Sequence, residues 1–200
     1  MDISAIEKAK QRLRKAQESL QRVRSSENYE QFQYAWTDLL LAGNAVHSIL
    51  EQGAKANPDS RQWFGGKKNE RRKDPLLSYM HQARNADEHG LMSVTAIKAG
   101  QTRIRRTKGP LVIKAGSIIS PDKTNLMIDN SDPSAGDLEI TQLPARAELI
   151  TVTDDRFGNS FDPPTEHLGA PLADTSPSAI GTAWVEYLEK LVTEASALAR

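Results

Sequence analysis

Apolar positions recur every three or four residues through the first part of the chain, and this spacing predicts α-helices. Residues 2–24 carry one narrow apolar seam in a strongly charged stretch. Residues 27–53 carry a broader seam that includes Tyr29, Phe32 and Trp36, so we expect the second helix to be more buried than the first. The basic residues of the first helix are compatible with phosphate binding, and a solvated outer face is the preferred interpretation.

Two further helices are predicted from residues that favour helix starts and ends. One begins after Asp74 with Pro75, a residue favoured in the first turn, and ends at His89, because the following Gly90 is a suitable C-terminal cap. The other follows a cap at Ser176 or Thr175 and occupies residues 174–200. Its expected packing face consists of Ile180, Trp184, Tyr187, Leu188, Leu191 and Leu198.

The 54–74 stretch contains two groups of residues that favour turns. Asn57-Pro58-Asp59 and Gly65-Gly66 both occur within it. We therefore predict a long connection between the second and third helices, held to them by Trp63-Phe64.

The apolar period changes to two after Gly90, which is typical of β-strands. Asp154-Asp155-Arg156-Phe157-Gly158 predicts a hairpin turn, and the prolines from Pro163 to Pro171 indicate an extended linker. The short strand candidates are residues 94–97, 102–106, 111–113, 118–119, 126–128, 138–141 and 148–152.

These elements together predict an α+β fold. We expect a helical bundle made of three N-terminal helices plus the C-terminal helix, with an inserted small antiparallel β-domain. The expected divisions are the N-terminal part of the bundle at 1–91, the β-domain at 92–162, the proline-rich linker at 163–173 and the C-terminal helix at 174–200.

Composition excludes several classes of protein. The 200 residues include no cysteine, which excludes disulfides and thiolate zinc sites. No signal-peptide pattern and no apolar run long enough for a membrane span occurs, so we expect a cytoplasmic protein without a membrane partner. The net charge of zero conceals a split, because residues 1–110 hold 20 Lys and Arg against 12 Asp and Glu. Residues 111–200 hold 6 Lys and Arg against 14 Asp and Glu. This asymmetry is compatible with a surface that faces nucleic acid, with two halves that attract each other, and with two solvated surfaces that merely differ in charge.

Chemically useful side chains concentrate in the stretch Arg84-Asn85-Ala86-Asp87-Glu88-His89. On a helix, Arg84, Asn85 and His89 fall on one side, with His81 and Glu88 as polar neighbours. An imidazole can move a proton near neutral pH, and a guanidinium can stabilise the charge that a phosphate gains in its transition state.

RNA carries its own nucleophile, the ribose 2′-hydroxyl, so its cleavage requires only a base, an acid and a cation. One motif histidine supplies half of the proton transfer, and two copies across a two-fold axis supply both halves. We expect no cofactor and no metal, because neighbouring residues on a helix, such as Glu88 and His89, diverge by about 100° and form a poor chelate.

The run Arg84-Asn85, three residues and His89 resembles the Arg-polar-x(3–5)-His motif of HEPN proteins, the helical superfamily named for higher eukaryotes and prokaryotes nucleotide-binding. The resemblance implies a four- or five-helix bundle, a homodimer with facing motifs and, in many members, metal-independent RNA cleavage in toxin–antitoxin or antiviral systems. It assigns phosphate stabilisation to Arg84, ring orientation to Asn85 and proton transfer to His89. RNA and an antitoxin or other protein are the expected partners.

A non-catalytic alternative stands beside this interpretation. Arg84 and Glu88 are spaced for an i,i+4 ion pair, and His89 suits the negative end of a helix. The motif would then be structural, in a protein that binds other proteins or nucleic acid. His47, inside the second apolar seam, is expected to be a hydrogen-bonded core or boundary residue. The candidate nucleic-acid-binding residues are Lys67, Lys68, Arg71, Arg72, Lys73, Arg103 and Arg105.

Overall fold

A computed structural model gives the fold of the chain. It describes residues 1–89, 93–113, 118–119, 124–125, 127–129, 131–132, 134, 136–154 and 157–199, with the backbone alone at 89, 118–119 and 124–125. Over this part of the chain, no helix combines the length and the apolar character that crossing a lipid bilayer requires.

The described residues form a mixed α+β structure in which helices predominate. Five α-helices are present among them, and a short 3₁₀ turn, Ala54–Ala56, follows the second. The helices are α1 (Ile3–Ser25), α2 (Tyr29–Gly53), α3 (Pro58–Lys73), α4 (Pro75–His89) and α5 (Pro177–Ala197).

Polar side chains cap the helix N-termini and fix where the helices begin. Asp2 accepts from the amides of the first turn of α1, and Asn28 accepts from the amide of Gln31 in α2. Ser176 caps α5 with Pro177 in the first turn, which confirms the predicted start of the last helix.

The prediction of a long connection at 54–74 is wrong, because most of that stretch forms α3. Asn57 accepts from the amide of Ser60 and caps the helix, and Pro58 occupies its first turn, so the apparent turn signal is a helix start. Gly65 and Gly66 lie inside the helix with open space around the position of an added side chain. The chain therefore has four N-terminal helices instead of three.

The helices share one apolar core. Helix α1 packs against α2 and α5, and α2 also packs against α4 and α5. Trp36 of α2 and Trp184 of α5 are each 1 % exposed, and Gly43 lies so close to the Trp184 ring that an added Cβ would be 2.4 Å from it. The predicted broad face of residues 27–53 is thus the central packing surface of the fold.

Contacts divide the chain into two compact units. The first comprises Met1–Ile97 and Ala147–Arg200, and the second comprises Lys98–Arg146. The second unit is shorter than the predicted β-domain of 92–162, because strands that lie near the ends of that segment belong with the helices.

The strands that lie wholly or mostly in the first unit form small two-stranded pairings. Strands β1 (Thr95–Lys98) and β6 (Arg146–Leu149) pair with each other. Strands β7 (Val152–Thr153) and β8 (Ser160–Phe161) form an antiparallel hairpin around the predicted turn, in which Asp155 and Arg156 lie outside the described residues.

The predicted extended linker is instead a hairpin. Strands β9 (Glu166–His167) and β10 (Ala170–Pro171) are antiparallel, and Leu168 between them has a φ of 50°. The carboxylate of Asp74 accepts from the Leu168 amide at 2.6 Å and from Nδ1 of His167 at 3.0 Å. This long-range anchor, which local sequence does not reveal, holds the segment against the start of α4.

The second unit contains an antiparallel ribbon and a shorter pairing. Strand β2 (Gln101–Arg106) pairs with β5 (Leu138–Leu143), with Arg103 opposite Thr141. Strands β3 (Ile118–Ile119) and β4 (Thr124–Asn125) also pair, and an isolated bridge joins Ile113 to Ile128.

Candidate functional site

Helix α4 presents the motif. Its start is fixed by Asp74, whose Oδ1 accepts from the Leu77 amide at 2.9 Å. Leu76, Met80 and Ala83 are buried in the core, which turns the opposite side of the helix toward the surface.

The side chain of Arg84 contacts two other residues of α4. Its guanidinium forms an ion pair with Glu88 and donates to Oδ1 of Asn85 at 3.3 Å. The amide of Asn85 in turn donates to Gln82 at 3.3 Å. The predicted i,i+4 pair is therefore confirmed. His89 is the last residue of α4, and its imidazole lies outside the described part of the chain.

Arg84 also lines a cleft that the sequence did not predict. The cleft has a volume of about 480 Å³ and is bounded by α1, α2, α3 and α4. Its charged and polar lining, called the basic cleft below, consists of Lys8, Arg12, Asn44, Ser48, Glu51, Arg71, His81 and Arg84.

Positive charge prevails in the basic cleft. Four cationic side chains face a single carboxylate, that of Glu51, and Lys68 from outside the cleft pairs with this carboxylate at 2.7 Å. Lys8 and Arg12 form no hydrogen bond or ion pair with any described residue. A concave surface lined by one sign of charge concentrates its field, so this cleft attracts anions.

Arg71 is the most constrained cation of the basic cleft. Its side chain is half-buried, and burial lowers its pKa while Glu51 and Tyr187 raise it. No residue in the described part of the chain forms a hydrogen bond or ion pair with its guanidinium. Arginine stays charged in proteins, so the cleft contains a partly desolvated cation with unused donors.

His81 presents one defined ring nitrogen to the basic cleft. The side-chain nitrogen of Asn44 donates to the carbonyls of Leu40, at 3.0 Å, and Met80, at 3.2 Å, which leaves Oδ1 of Asn44 as an acceptor. That oxygen lies 3.3 Å from Nδ1 of His81, so the ring carries its proton on Nδ1 and keeps a lone pair on Nε2. Burial, then Arg71 and Arg84, lower the pKa of His81 to about 4, so the ring is neutral at pH 7.

His47 lies behind the cleft, in the core. It is 2 % exposed and stacks on the ring of Tyr187, with a centroid distance of 6.0 Å. The predicted burial of His47 is confirmed. The prediction that its ring is hydrogen-bonded is wrong for Nε2, which is buried without a partner among the described residues. Desolvation, followed by the charges of Arg71, His81 and Lys67, lowers the pKa of His47 to about 3.

The other predicted nucleic-acid-binding residues do not gather in the basic cleft. Lys67 pairs with Glu70 at 3.7 Å and with Glu194 at 3.0 Å, and Lys68 pairs with Glu51. Arg72 and Lys73 are exposed on α3, outside the lining of the cleft.

The two predicted nucleic-acid-binding arginines in the second unit, Arg103 and Arg105, lie on one face of β2. Arg105 pairs with Glu139 on the opposite strand at 2.5 Å, so its charge is neutralised locally. Arg103 borders a separate pocket of about 360 Å³, together with Lys98 and Arg146. Arg103 thus lines a pocket formed within the second unit, and Arg105 does not line that pocket.

The cleft residues that sequence reasoning did not assign to a site are Lys8, Arg12 and Asn44. Lys8 and Arg12 are four residues apart on α1, a spacing that places two cations on one helix face. Asn44 interrupts the apolar face of α2, and such a buried amide needs partners, which here are two carbonyls and His81. No cluster of three or more potential metal-binding His, Asp or Glu side chains occurs within the described residues.

Comparisons with known proteins return no match to this sequence or fold, whether to a family model, to a curated protein or to a solved structure. The features that the structure establishes are thus a helical, mixed α+β architecture and a basic cleft at the motif helix.

The low pKa values of His47 and His81 predict an acid-dependent loss of stability. In the unfolded chain both histidines bind a proton near pH 6.5, whereas in the folded chain His81 binds one near pH 4 and His47 near pH 3. The free energy of unfolding therefore falls as the pH decreases below 6.5. Each histidine accounts for at most about 2 kcal/mol between pH 6.5 and 5. Urea unfolding at a series of pH values measures this loss.

The variant His47→Phe isolates the contribution of His47 to this acid-dependent loss of stability. Phenylalanine does not titrate and keeps a ring beside Tyr187. We expect the variant to lose less stability than the wild type between pH 7 and 5, by up to about 2 kcal/mol. Parallel pH profiles for the two proteins would show that His47 is not the titrating group.

Proposed function

We propose that the chain is a HEPN-like, metal-independent endoribonuclease of toxin or antiviral type, with a composite site at a homodimer interface. The observation that carries this proposal is that Arg84, the arginine of the motif, lines a cleft with three other cations. A phosphodiester is the substrate class that such a cleft suits, because phosphate is both the ligand of a guanidinium and the group that gains charge during cleavage.

The proposed reaction uses groups of this chain and of its substrate. A base removes the proton of the 2′-hydroxyl, and the 2′-oxygen attacks the adjacent phosphorus. The bond from phosphorus to the 5′-oxygen breaks, the leaving oxygen receives a proton from an acid, and a 2′,3′-cyclic phosphate remains. His89 from each of two protomers supplies the base and the acid, and Arg84 stabilises the charge on the phosphate.

The proposed architecture follows from the same resemblance. The helices surrounding the shared core would correspond to the HEPN bundle, with the segment between α4 and α5 as an insertion. In the proposed homodimer, the exposed sides of α4 from two protomers face each other, so that both motifs contribute to a single site.

The assay for this proposal is RNA cleavage by the purified protein in excess EDTA. We expect the wild type to cleave single-stranded or structured RNA in the chelator, and His89→Ala, purified in parallel, to be inactive. Cleavage that EDTA abolishes, or that His89→Ala retains, would contradict the proposal and indicate another mechanism or a contaminating nuclease.

A second candidate function has its own supporting observation. Arg84 forms an ion pair with Glu88 and bonds Asn85, an arrangement that a purely structural motif also requires. In this alternative the protein is a non-catalytic HEPN-like module that binds nucleic acid or another protein. A folded, dimeric wild type that cleaves no RNA would favour this alternative.

A further inference from the structure

The size and the charges of the basic cleft fit a ligand larger than a simple anion. Its volume of about 480 Å³ falls within the usual range of small-ligand sites, about 300–1,000 Å³. Three of its four cations, Lys8, Arg12 and Arg71, have no hydrogen bond or ion pair with a described residue. The proposed reaction engages only Arg84, so these three are available for another part of the substrate.

Arg71 fits a phosphate group. Its guanidinium is partly removed from water, which strengthens any charge-assisted hydrogen bond that it donates. A phosphodiester oxygen would satisfy these donors, and a carboxylate from the chain does not do so among the described residues. Arg71 and His81 line the same cleft, so a ligand held by Arg71 occupies the cleft that the imidazole also borders.

His81 requires a different ligand group from that of the cations. Asn44 fixes the proton on Nδ1, so Nε2 can only accept a hydrogen bond. Nε2 has no partner among the described residues and is not one of their buried unpartnered atoms, so it is open to solvent at the cleft. A phosphodiester has no proton to donate at neutral pH, whereas the ribose 2′-hydroxyl is a donor that DNA lacks.

We infer that the basic cleft binds a ribonucleotide of the RNA strand next to the cleaved bond, with Arg71 on a phosphate and His81 accepting from a 2′-hydroxyl. This inference rests on the proposed function, because it names the part of the substrate that the same cleft holds. Asn44 is then a positioning residue, since it acts on the ligand only by fixing the tautomer of His81.

Equilibrium binding tests this inference separately from cleavage. A fluorescein-labelled single-stranded RNA of twelve nucleotides and the DNA of identical sequence are titrated at one fixed salt concentration, in EDTA, and followed by fluorescence anisotropy. The protein carries His89→Ala so that RNA stays intact. We expect this protein to bind the RNA more tightly than the DNA.

Variants at Arg71 test the phosphate contact. Arg71→Ala should weaken binding of RNA and DNA alike, each by about tenfold, because both ligands carry the phosphate. Arg61→Ala is the matched control, since Arg61 is exposed on α3 and lies outside the cleft lining. It should change either affinity by less than about twofold. Equal effects of the two variants would overturn the assignment of Arg71.

Variants at His81 test the 2′-hydroxyl contact. His81→Phe removes both ring nitrogens and should weaken RNA binding about fivefold while leaving DNA binding unchanged. His81→Gln should keep most of the preference for RNA, because its amide can donate to Asn44 and accept from the ligand. An unchanged ratio of RNA to DNA affinity in the folded His81→Phe protein, or equal losses for both ligands, would overturn the inference.

The two proposals fail in different ways. If the variants change binding as expected but the wild type cleaves no RNA, the ribonuclease proposal fails and the binding inference stands. If the wild type cleaves RNA in EDTA while the Arg71 and His81 variants leave both affinities unchanged, the inference fails and the proposed function stands.

Discussion

Replacing Arg84 with alanine is expected to reduce the rate of RNA cleavage by about 100-fold or more. Removal of one group that stabilises developing charge in an active site typically costs about 10²–10³ in rate. The ion pair of Arg84 with Glu88 is partly exposed and contributes at most about 0.5 kcal/mol to stability, so the variant should remain folded. Initial cleavage rates in EDTA, together with a urea unfolding curve, measure both effects.

Arg84→Lys and Arg61→Ala are the matched controls for this prediction. Lysine keeps the charge but loses the two-pronged contact with phosphate, so we expect an intermediate rate. Arg61→Ala removes an exposed cation from α3 and should cleave nearly as fast as the wild type. If Arg84→Ala cleaves RNA at the wild-type rate, the motif arginine has no catalytic role.

Replacing Asp74 with alanine is expected to destabilise the first unit by about 3 kcal/mol or more. The carboxylate of Asp74 is buried and accepts from the Leu77 amide, Nδ1 of His167 and the Leu168 amide. The variant would remove the cap of α4 and leave these donors without their acceptor. The free energy of unfolding in urea measures the loss.

Asp2 provides the control for Asp74, because it also caps a helix. Asp2 is exposed and accepts only from groups of its own first turn, Ser4 and Ala5. Asp2→Ala should therefore destabilise the protein clearly less than Asp74→Ala does. An equal cost for the two substitutions would mean that the long-range bonds of Asp74 to His167 and Leu168 contribute nothing to stability.

Local patterns were sufficient for most of the helices. Apolar spacing located α1, α2, α4 and α5, because each buries one continuous face in the shared core. It missed α3, whose Asn57 and Pro58 are equally compatible with a turn and with a helix start. Gly65 and Gly66 added to the error, because we interpreted them as a turn, although a helix tolerates glycine in its interior.

Local sequence patterns do not reveal contacts between residues that are distant in the chain. The hairpin β9–β10 looked like a linker because its anchor, Asp74, lies 93 residues from His167. The basic cleft likewise joins Lys8 and Arg12 of α1 to Arg71 of α3 and Arg84 of α4, which are distant in the chain. Only the packing of the helices brings these cations together. From the sequence, Lys8 and Arg12 resembled a solvated helix face, and Arg71 and Arg84 belonged to two separate candidate sites.

The candidate site was therefore predicted in part. Arg84 and Asn85 were recognised from their spacing, and the structure connects them to each other and places Arg84 at the cleft. His81 was noted as a neighbour, but its fixed tautomer depends on Asn44 in another helix. The catalytic role of His89 and the dimer stay predictions.

The chemical identity of the cleaved ends is the measurement that tests the central claim most directly. A defined RNA is incubated with the wild-type protein in EDTA, and the masses of the fragments are measured by mass spectrometry. We predict 5′ fragments that end in a 2′,3′-cyclic phosphate and 3′ fragments that begin with a 5′-hydroxyl, because the 2′-oxygen is the nucleophile. Intact RNA, or fragments with 3′-hydroxyl and 5′-phosphate ends, would contradict the account.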